Sequence, residues 1–446
     1  MENIQPGELV RRAAFNALDS MKGKTMQKLI EVNSYELVHG VSKDYIGRRL
    51  NHIMNYAKEN CPFYRELELP ENTKLSDFPV QCKKDFIAHY DTVLSDEFRP
   101  NKDKLAKLST SGSTGTPFTV LADPKKINHV NSNFLSVMGL NGYRIGMKRA
   151  ELRAWIPGKN MYSRAHCLKN NLLMVDISVM SDEALSRICN RVRDEHVQVL
   201  VLYSSALTAL VTYMDDHNID PVGWDVEMIF TMGEACPEKT REKADLLFGC
   251  CPVLSYGNNE NGFVAVSLDG SKTYTIDLYN YYVEILKMDS DEPAEPGEIG
   301  RIVVTDYYNK AFPMIRYDTG DTGQAEIGED EKGRIHGKFT HIYGRRGSLL
   351  YTTKGEPLSI HVFMNILFHF EGILRQARCV QTGEKEYNLV INPVPEAMPV
   401  DEEKIKETYK GYLGADADIT IEYVDQIPIQ QSGKTMVCEQ KCEKYI

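Results

Sequence analysis

Between residues 184 and 256, helical patterns and short apolar runs alternate, and this alternation narrows the possible folds more than any other feature. Residues 184–195 have helical spacing. Residues 197–203 read Val-Gln-Val-Leu-Val-Leu-Tyr, an apolar, valine-rich run of the kind buried in parallel sheets. A helix is expected at 205–216, a strand at 226–231, a helix opened by Pro237 at 237–248, and a further strand at 253–256. Parallel strands need crossover connections, and helices supply them. The succession therefore predicts a largely parallel sheet covered by helices.

The pattern changes after Asp269. Strands are expected at 274–287, 300–306 and 323–335, joined by turn sequences such as Asp269-Gly270 and Glu295-Pro296-Gly297. A last unit predicts helix 360–370, strands 376–381 and 387–392, helix 401–412 and strand 419–424. A chain of 446 residues is too long for one ordinary core. The expected fold class is α/β. It has a large N-terminal domain, 1–344, with mostly parallel covered sheets and a β-rich subdomain at about 270–344. A small α+β lid domain, 345–446, completes it. Nearer the start, residues 44–57 place Ile46, Leu50, Ile53, Met54 and Ala57 at helical spacing.

Charge excludes some partners. A net charge of −11 argues against nucleic acid, whose phosphates demand basic surface. No apolar run is long enough to span a bilayer, and the first residues lack a charged-then-apolar leader, so a cytoplasmic protein is expected. The ten cysteines form no zinc-ligand framework. Cys250-Cys251 and Cys438…Cys442 have no histidine at ligand spacing and read as small apolar residues of a reducing compartment.

The chemistry is concentrated in five segments. Leu108-Ser109-Thr110-Ser111-Gly112-Ser113-Thr114-Gly115-Thr116-Pro117 follows the basic Lys102, Lys104 and Lys107. Its glycines let backbone N–H groups approach an anion and its hydroxyls add donors, so it can cradle phosphate. No Gly-Lys-Ser/Thr follows, so it is no Walker loop. A flexible linker has the same composition. Thr231-Met232-Gly233-Glu234-Ala235-Cys236-Pro237 lies between a strand and a helix, where backbone can line a ligand. Ser255-Tyr256-Gly257-Asn258-Asn259-Glu260 ends in a carboxylate suited to Mg²⁺ beside substrate phosphates, or is a solvated turn. Arg316-Tyr317-Asp318-Thr319-Gly320-Asp321 holds an aspartate that can accept ribose hydroxyls, and is equally a good turn sequence. Ser432-Gly433-Lys434 offers a mobile point charge for a developing phosphate anion, or an exposed lysine.

Singly these segments are weak, but their order and spacing over roughly residues 105–436 resemble the adenylate-forming superfamily of acyl-CoA synthetases and luciferases. The loop and Ile-Arg-Tyr-Asp-Thr-Gly-Asp look most like the phenylacetate–coenzyme A ligase family, and within it the branch associated with capsular polysaccharide biosynthesis. The resemblance implies an enzyme that joins a small carboxylic acid to ATP, releasing pyrophosphate, and then passes the acyl group to a thiol, usually coenzyme A. An amine acceptor, or a degraded nucleotide-binding protein, are the competing readings.

Carried over, Ser111, Gly112, Ser113, Thr114 and Gly115 would hold the β and γ phosphates. Gly233, Glu234 and Ala235 would border adenine, with Tyr256 stacked near it. Gly257 and Asn259 belong to the same nucleotide motif. Glu260 would bind Mg²⁺, Asp321 and Arg345 the ribose, and Lys434 would bridge the attacking carboxylate and the α-phosphate. The chain departs from the superfamily pattern at three points, the first of them shared with phenylacetate-type members. Phe118 replaces a lysine, Asn259 a threonine, and Gly344-Arg345-Arg346-Gly347-Ser348 lacks the hinge aspartates, leaving Gly347 as the expected pivot. The acyl pocket is expected near Tyr203, Leu207, Tyr256 and Phe263, with Trp155 and Tyr143 contributing.

Overall fold

The computed structural model describes residues 4–109, 118–153, 155, 161–177, 180–345, 350–358, 360–370, 372–428, 436–442 and 444. Four strands form a wholly parallel sheet, in the order Leu172–Asp176, Arg149–Arg153, Val199–Tyr203, Met228–Met232. The last two are the runs read at 197–203 and 226–231. The first two escaped the sequence reading. Arg149–Arg153 is Arg-Ala-Glu-Leu-Arg, three charges in five residues, yet Ala150 and Leu152 are buried in the main core.

The crossovers are helical. Ser181 accepts a hydrogen bond from the Ala184 N–H at 3.4 Å and starts Asp182–Asp194, which buries Leu185, Ile188 and Val192. Ser204–Asp216 follows the third strand. Glu238–Phe248 follows the fourth, with Pro237 as its N-cap rather than its first turn and Gly249, at φ +67°, ending it.

Three expectations are corrected. Residues 274–287 are two strands, Tyr274–Ile276 and Tyr281–Leu286, at separate places in the antiparallel sheet. Residues 253–256 do not add a strand to the parallel sheet. Val253 makes a single parallel bridge to Phe230, and the chain then leaves for the antiparallel sheet as Ser255–Asn258. The strand expected at 323–335 is two arms of a hairpin, Tyr317–Glu329 and Arg334–Arg345. Asp330 makes the turn by accepting the N–H groups of Lys332 and Arg334, both at 2.9 Å, and Gly333 takes φ +74°.

The antiparallel sheet runs Tyr281–Leu286, Gly300–Asp306, Tyr317–Glu329, Arg334–Arg345, Tyr274–Ile276, Gly262–Val266, Ser255–Asn258. The short strand Gln81–Cys82 joins it, parallel to Tyr317 and Asp318. A separate core lies between Leu350 and Cys438. There Leu374–Gln381, Glu386–Pro393, Asp418–Tyr423 and Cys438–Gln440 form one sheet beside Ile360–His369 and Glu402–Leu413. These elements nearly coincide with those read from the sequence.

Helix Pro124–Leu140 packs on the antiparallel sheet through polar groups. Lys126 Nζ lies 2.7 Å from Asp306 Oδ2 and 2.7 Å from the Asn261 carbonyl. His129 Nδ1 is 3.0 Å from Asn280 Oδ1, and its ring stacks on Tyr308 at 3.4 Å. Burial holds the His129 imidazole down to about 3, so it is neutral when folded. A depressed folded value stabilises above the unfolded value near 6.5 and is lost as pH falls. Buried Asp277, pushed up to about 6, acts oppositely: its contribution is lost as pH rises through that value. His129→Phe keeps the stack and removes the titration. Its melting temperature should therefore fall less between pH 6.5 and pH 4 than that of the unsubstituted protein, measured by calorimetry across that window.

Candidate active site

The inner end of the long hairpin sets the site. Its register pairs Asp321 with Arg345, and Arg345 Nε lies 3.1 Å from Asp321 Oδ1. Arg345 Nη1 also donates to the Thr319 carbonyl at 2.8 Å. The Tyr256 hydroxyl donates to Asp321 Oδ2 at 3.0 Å. Two of the sequence motifs thus meet on one carboxylate. Gly320 turns the chain between Thr319 and Asp321 at φ +78°, and a Cβ there would stand 3.1 Å from Arg345 Nη1. Tyr256 is buried, and desolvation first, then the Asp321 charge, pushes its phenol far up. It is a hydrogen-bond donor that does not ionise. Its ring packs edge-on to Phe339 at 5.4 Å.

Glu260 is 3% exposed and accepts the Tyr317 hydroxyl at 3.0 Å. Burial raises its carboxyl, while the charges of Arg345 and Lys83 lower it. Lys83 was not singled out in the sequence. It opens helix Lys83–Ala88 directly after Gln81–Cys82, whose pairing with Tyr317 and Asp318 brings it to the site. Burial holds its ammonium below the usual lysine range, with Glu260 countering and Arg345 adding. Two carboxylates and two cations are therefore coupled in one place. A lysine after a two-residue strand carries no local signal of this, because the pairing joins segments far apart in the chain.

Asn259, expected to face a phosphate, donates its amide to the Ser109 carbonyl at 2.8 Å. Ser109 pairs with Thr119 across the strands Ala106–Ser109 and Thr119–Ala122, so Asn259 fastens the base of the glycine-rich segment. Ser111, Gly112, Ser113, Thr114 and Gly115 lie outside the described residues, as do Lys434 and Gly347. Gly257 has a structural reason: a Cβ there would meet the Gly262 carbonyl at 2.2 Å. Phe118, where many superfamily members are expected to carry lysine, is buried against Phe312.

Gly233, at φ +74°, lets the chain turn off the fourth parallel strand. Glu234 then caps helix Ser204–Asp216: its Oε2 accepts the Ser205 N–H at 2.9 Å and its carbonyl the Ser204 hydroxyl at 3.1 Å. Ala235 follows on the same tether. The expected acyl pocket is corrected. Leu207 and Tyr256 belong to the core on one face of the parallel sheet, Phe263 and Tyr143 to that on the other. The sheet divides them because successive strand side chains point to opposite faces. Trp155 is buried and donates its ring N–H to the Glu151 and Val175 carbonyls.

As a metal site the arrangement offers one carboxylate. Among the described residues no group of three or more His, Cys, Asp or Glu could hold an ion. A single buried glutamate fits Mg²⁺, which takes one or two protein carboxylates and completes its shell with substrate phosphates and water. Among those residues, too, no helix is long and apolar enough to cross a membrane.

No family model matches the chain. It is 22% identical to Protein CapK of Staphylococcus aureus over 447 residues, covering 94% of this chain and 95% of that one. It is 23% identical to the phenylacetate-coenzyme A ligase of Thermus thermophilus over 430 residues, covering 86% and 93%. Among solved structures, 2-hydroxyisobutyryl-CoA ligase in its postadenylation state with R3-HIB-AMP superposes with a TM-score of 0.69. The identity there is 17%, over 91% of this chain and 90% of that one.

Proposed function

From the chain's membership of the adenylate-forming superfamily, in the phenylacetate–coenzyme A ligase family and its CapK branch, we propose ATP-dependent activation of a small carboxylic acid followed by acyl transfer to coenzyme A. In the first step a carboxylate oxygen attacks the α-phosphorus. The bond to the β-phosphate breaks, and acyl-AMP and pyrophosphate result. In the second, the thiolate sulfur attacks the acyl carbon and AMP leaves. The likeness to CapK supports placing this transfer in capsular polysaccharide biosynthesis.

The observation that carries this reading is the Tyr256–Asp321–Arg345 unit beside Glu260. Asp321 receives the ribose hydroxyls, and Arg345 and the Tyr256 hydroxyl hold it in place. Gly233, Glu234 and Ala235 border the adenine from a backbone tethered to a helix start. The segment Ser111–Gly115 takes the outer phosphates. Glu260 would hold Mg²⁺, which would supply charge neutralisation at the phosphates. Lys83, coupled to Glu260, adds a cation to the site. Lys434 stabilises charge on the α-phosphate as the carboxylate attacks.

Acid-dependent exchange of labelled pyrophosphate into ATP, run across carboxylic acids without any acceptor, tests the first step. Exchange with at least one acid is expected, and its absence with every acid would overturn the reading. Adding coenzyme A, or an amine, to the loaded enzyme then separates thioester from amide. Glu260→Gln should need far more magnesium for half-maximal exchange, with the same maximal rate approached at saturation. An unchanged magnesium dependence would remove Glu260 from the metal.

A further inference from the structure

The four parallel strands end at Arg153, Asp176, Tyr203 and Met232. In open α/β sheets ligands bind in the crevice outside these carboxyl ends. Met232 leads directly into Gly233, Glu234 and Ala235, so this crevice adjoins the site described above.

One strand presents an unusual wall. Residues 149, 151 and 153 alternate with Ala150 and Leu152, so Arg149, Glu151 and Arg153 share the face opposite the main core. That face also carries the apolar Val199, Val201, Met228 and Phe230, and Asp176 stands in register beside Arg153. Arg149 lies over the Phe134 ring at 5.1 Å. Arg149 Nη2 is 3.0 Å from Glu151 Oε1, and Arg153 Nε is 3.3 Å from Glu151 Oε2. One carboxylate, Glu151, thus serves two guanidinium groups. The pairing is also incomplete. Among the described residues Arg149 Nε is buried without a hydrogen bond, and Arg153 Nε and Glu151 Oε2 meet as an ion pair that lacks hydrogen-bond geometry. A buried charge cluster of this kind is weak as a source of stability, since apolar residues of similar size serve a core as well or better. What such a cluster can offer instead is a charged group for a ligand.

Arg153 supplies it. Its side chain is 33% exposed at the strand end, while Glu151 is 5% exposed. The ion pair engages its inner nitrogen. Among the described residues, its outer edge meets one weak acceptor, Met232 Sδ, at 3.6 Å from Nη2, and the Trp155 ring at 5.9 Å. Tyr203, at the neighbouring strand end, feels its charge. Among the described residues the outer edge of this part-exposed guanidinium, at the strand's carboxyl end, meets no oxygen acceptor, and such a fork matches the two oxygens of a carboxylate. We infer that the acid activated by this chain carries a second anionic oxygen group, in the simplest case a far carboxylate, and that Arg153 receives it. This rests on the carboxylate activation proposed above and names the class of acid.

The test is pyrophosphate exchange with matched acids: valerate against glutarate, and phenylacetate against para-carboxyphenylacetate. The diacid of at least one pair should have a KM about tenfold or more below its monoacid partner. Arg153→Leu should raise that KM by about tenfold or more and lower the monoacid's, inverting the preference. Arg153→Gln, which keeps a polar stem without the charge, should lose the diacid preference too, and guards against a leucine variant that fails to fold. Monoacids used as well as diacids, with neither variant changing the ratio, would overturn the inference and leave the activation standing. No exchange with any acid would overturn both.

Discussion

Lys434→Ala is expected to lower acid-dependent pyrophosphate exchange by about 10²–10³-fold, the loss typical of removing one preorganised group that stabilises transition-state charge. ATP binding, followed by calorimetry, should change little. The distinction follows from when the charge is needed. As the carboxylate oxygen closes on phosphorus, negative charge gathers between them, and a cation placed there acts on the barrier rather than on affinity. Lys83 is the comparator. It is coupled electrostatically to Glu260 and Arg345, at the phosphate and ribose side of the site. Lys83→Ala should raise the KM for ATP more than it lowers the maximal exchange rate. If Lys434→Ala keeps near-normal exchange while Lys83→Ala abolishes it, the bridging role passes from the first lysine to the second.

Asp321→Ala should weaken ATP and AMP alike, by roughly 1.5–3 kcal/mol, or about 10–150-fold in Kd. Both nucleotides carry the ribose, and both lose the charge-assisted bonds to its hydroxyls. The substitution also strips Arg345 of its carboxylate partner at 3.1 Å, and an unpaired guanidinium adds to the loss. Tyr256→Phe leaves the carboxylate in place and removes one hydroxyl at 3.0 Å, so its effect should be about 1 kcal/mol on both ligands. Equilibrium binding of the two nucleotides to each variant checks this. Loss of ATP affinity with AMP unaffected would move Asp321 from the sugar to the phosphates.

Much of this site was legible because its parts are local. Tyr256 and Asp321 lie in short runs whose glycines and carboxylates mark them, and the hairpin register then supplies the reason Arg345 sits with Asp321. Helix Ser204–Asp216 and strand Val199–Tyr203 were legible for the same reason: periodicity is a property of neighbours. What depended on distant pairing was not. Arg149–Arg153 reads as a polar segment until two parallel neighbours bury it. Lys83 reads as a surface lysine until Gln81–Cys82 docks beside Tyr317. The acyl pocket was drawn from Tyr203, Leu207, Tyr256 and Phe263, with Trp155 and Tyr143, residues spread over more than a hundred positions. The parallel sheet passes between them, so Leu207 and Phe263 face different cores.

The central claim is that a carboxylate oxygen of the substrate attacks the α-phosphorus of ATP. The most direct measurement follows that oxygen. An acid found by the exchange screen, labelled with ¹⁸O in its carboxylate, is turned over with ATP and coenzyme A, and the AMP is analysed by mass spectrometry. One labelled oxygen per molecule of AMP is the expected result, because acyl transfer to the thiol leaves that oxygen on the phosphate. Unlabelled AMP, or label recovered in inorganic phosphate with ADP as the nucleotide product, would contradict the account.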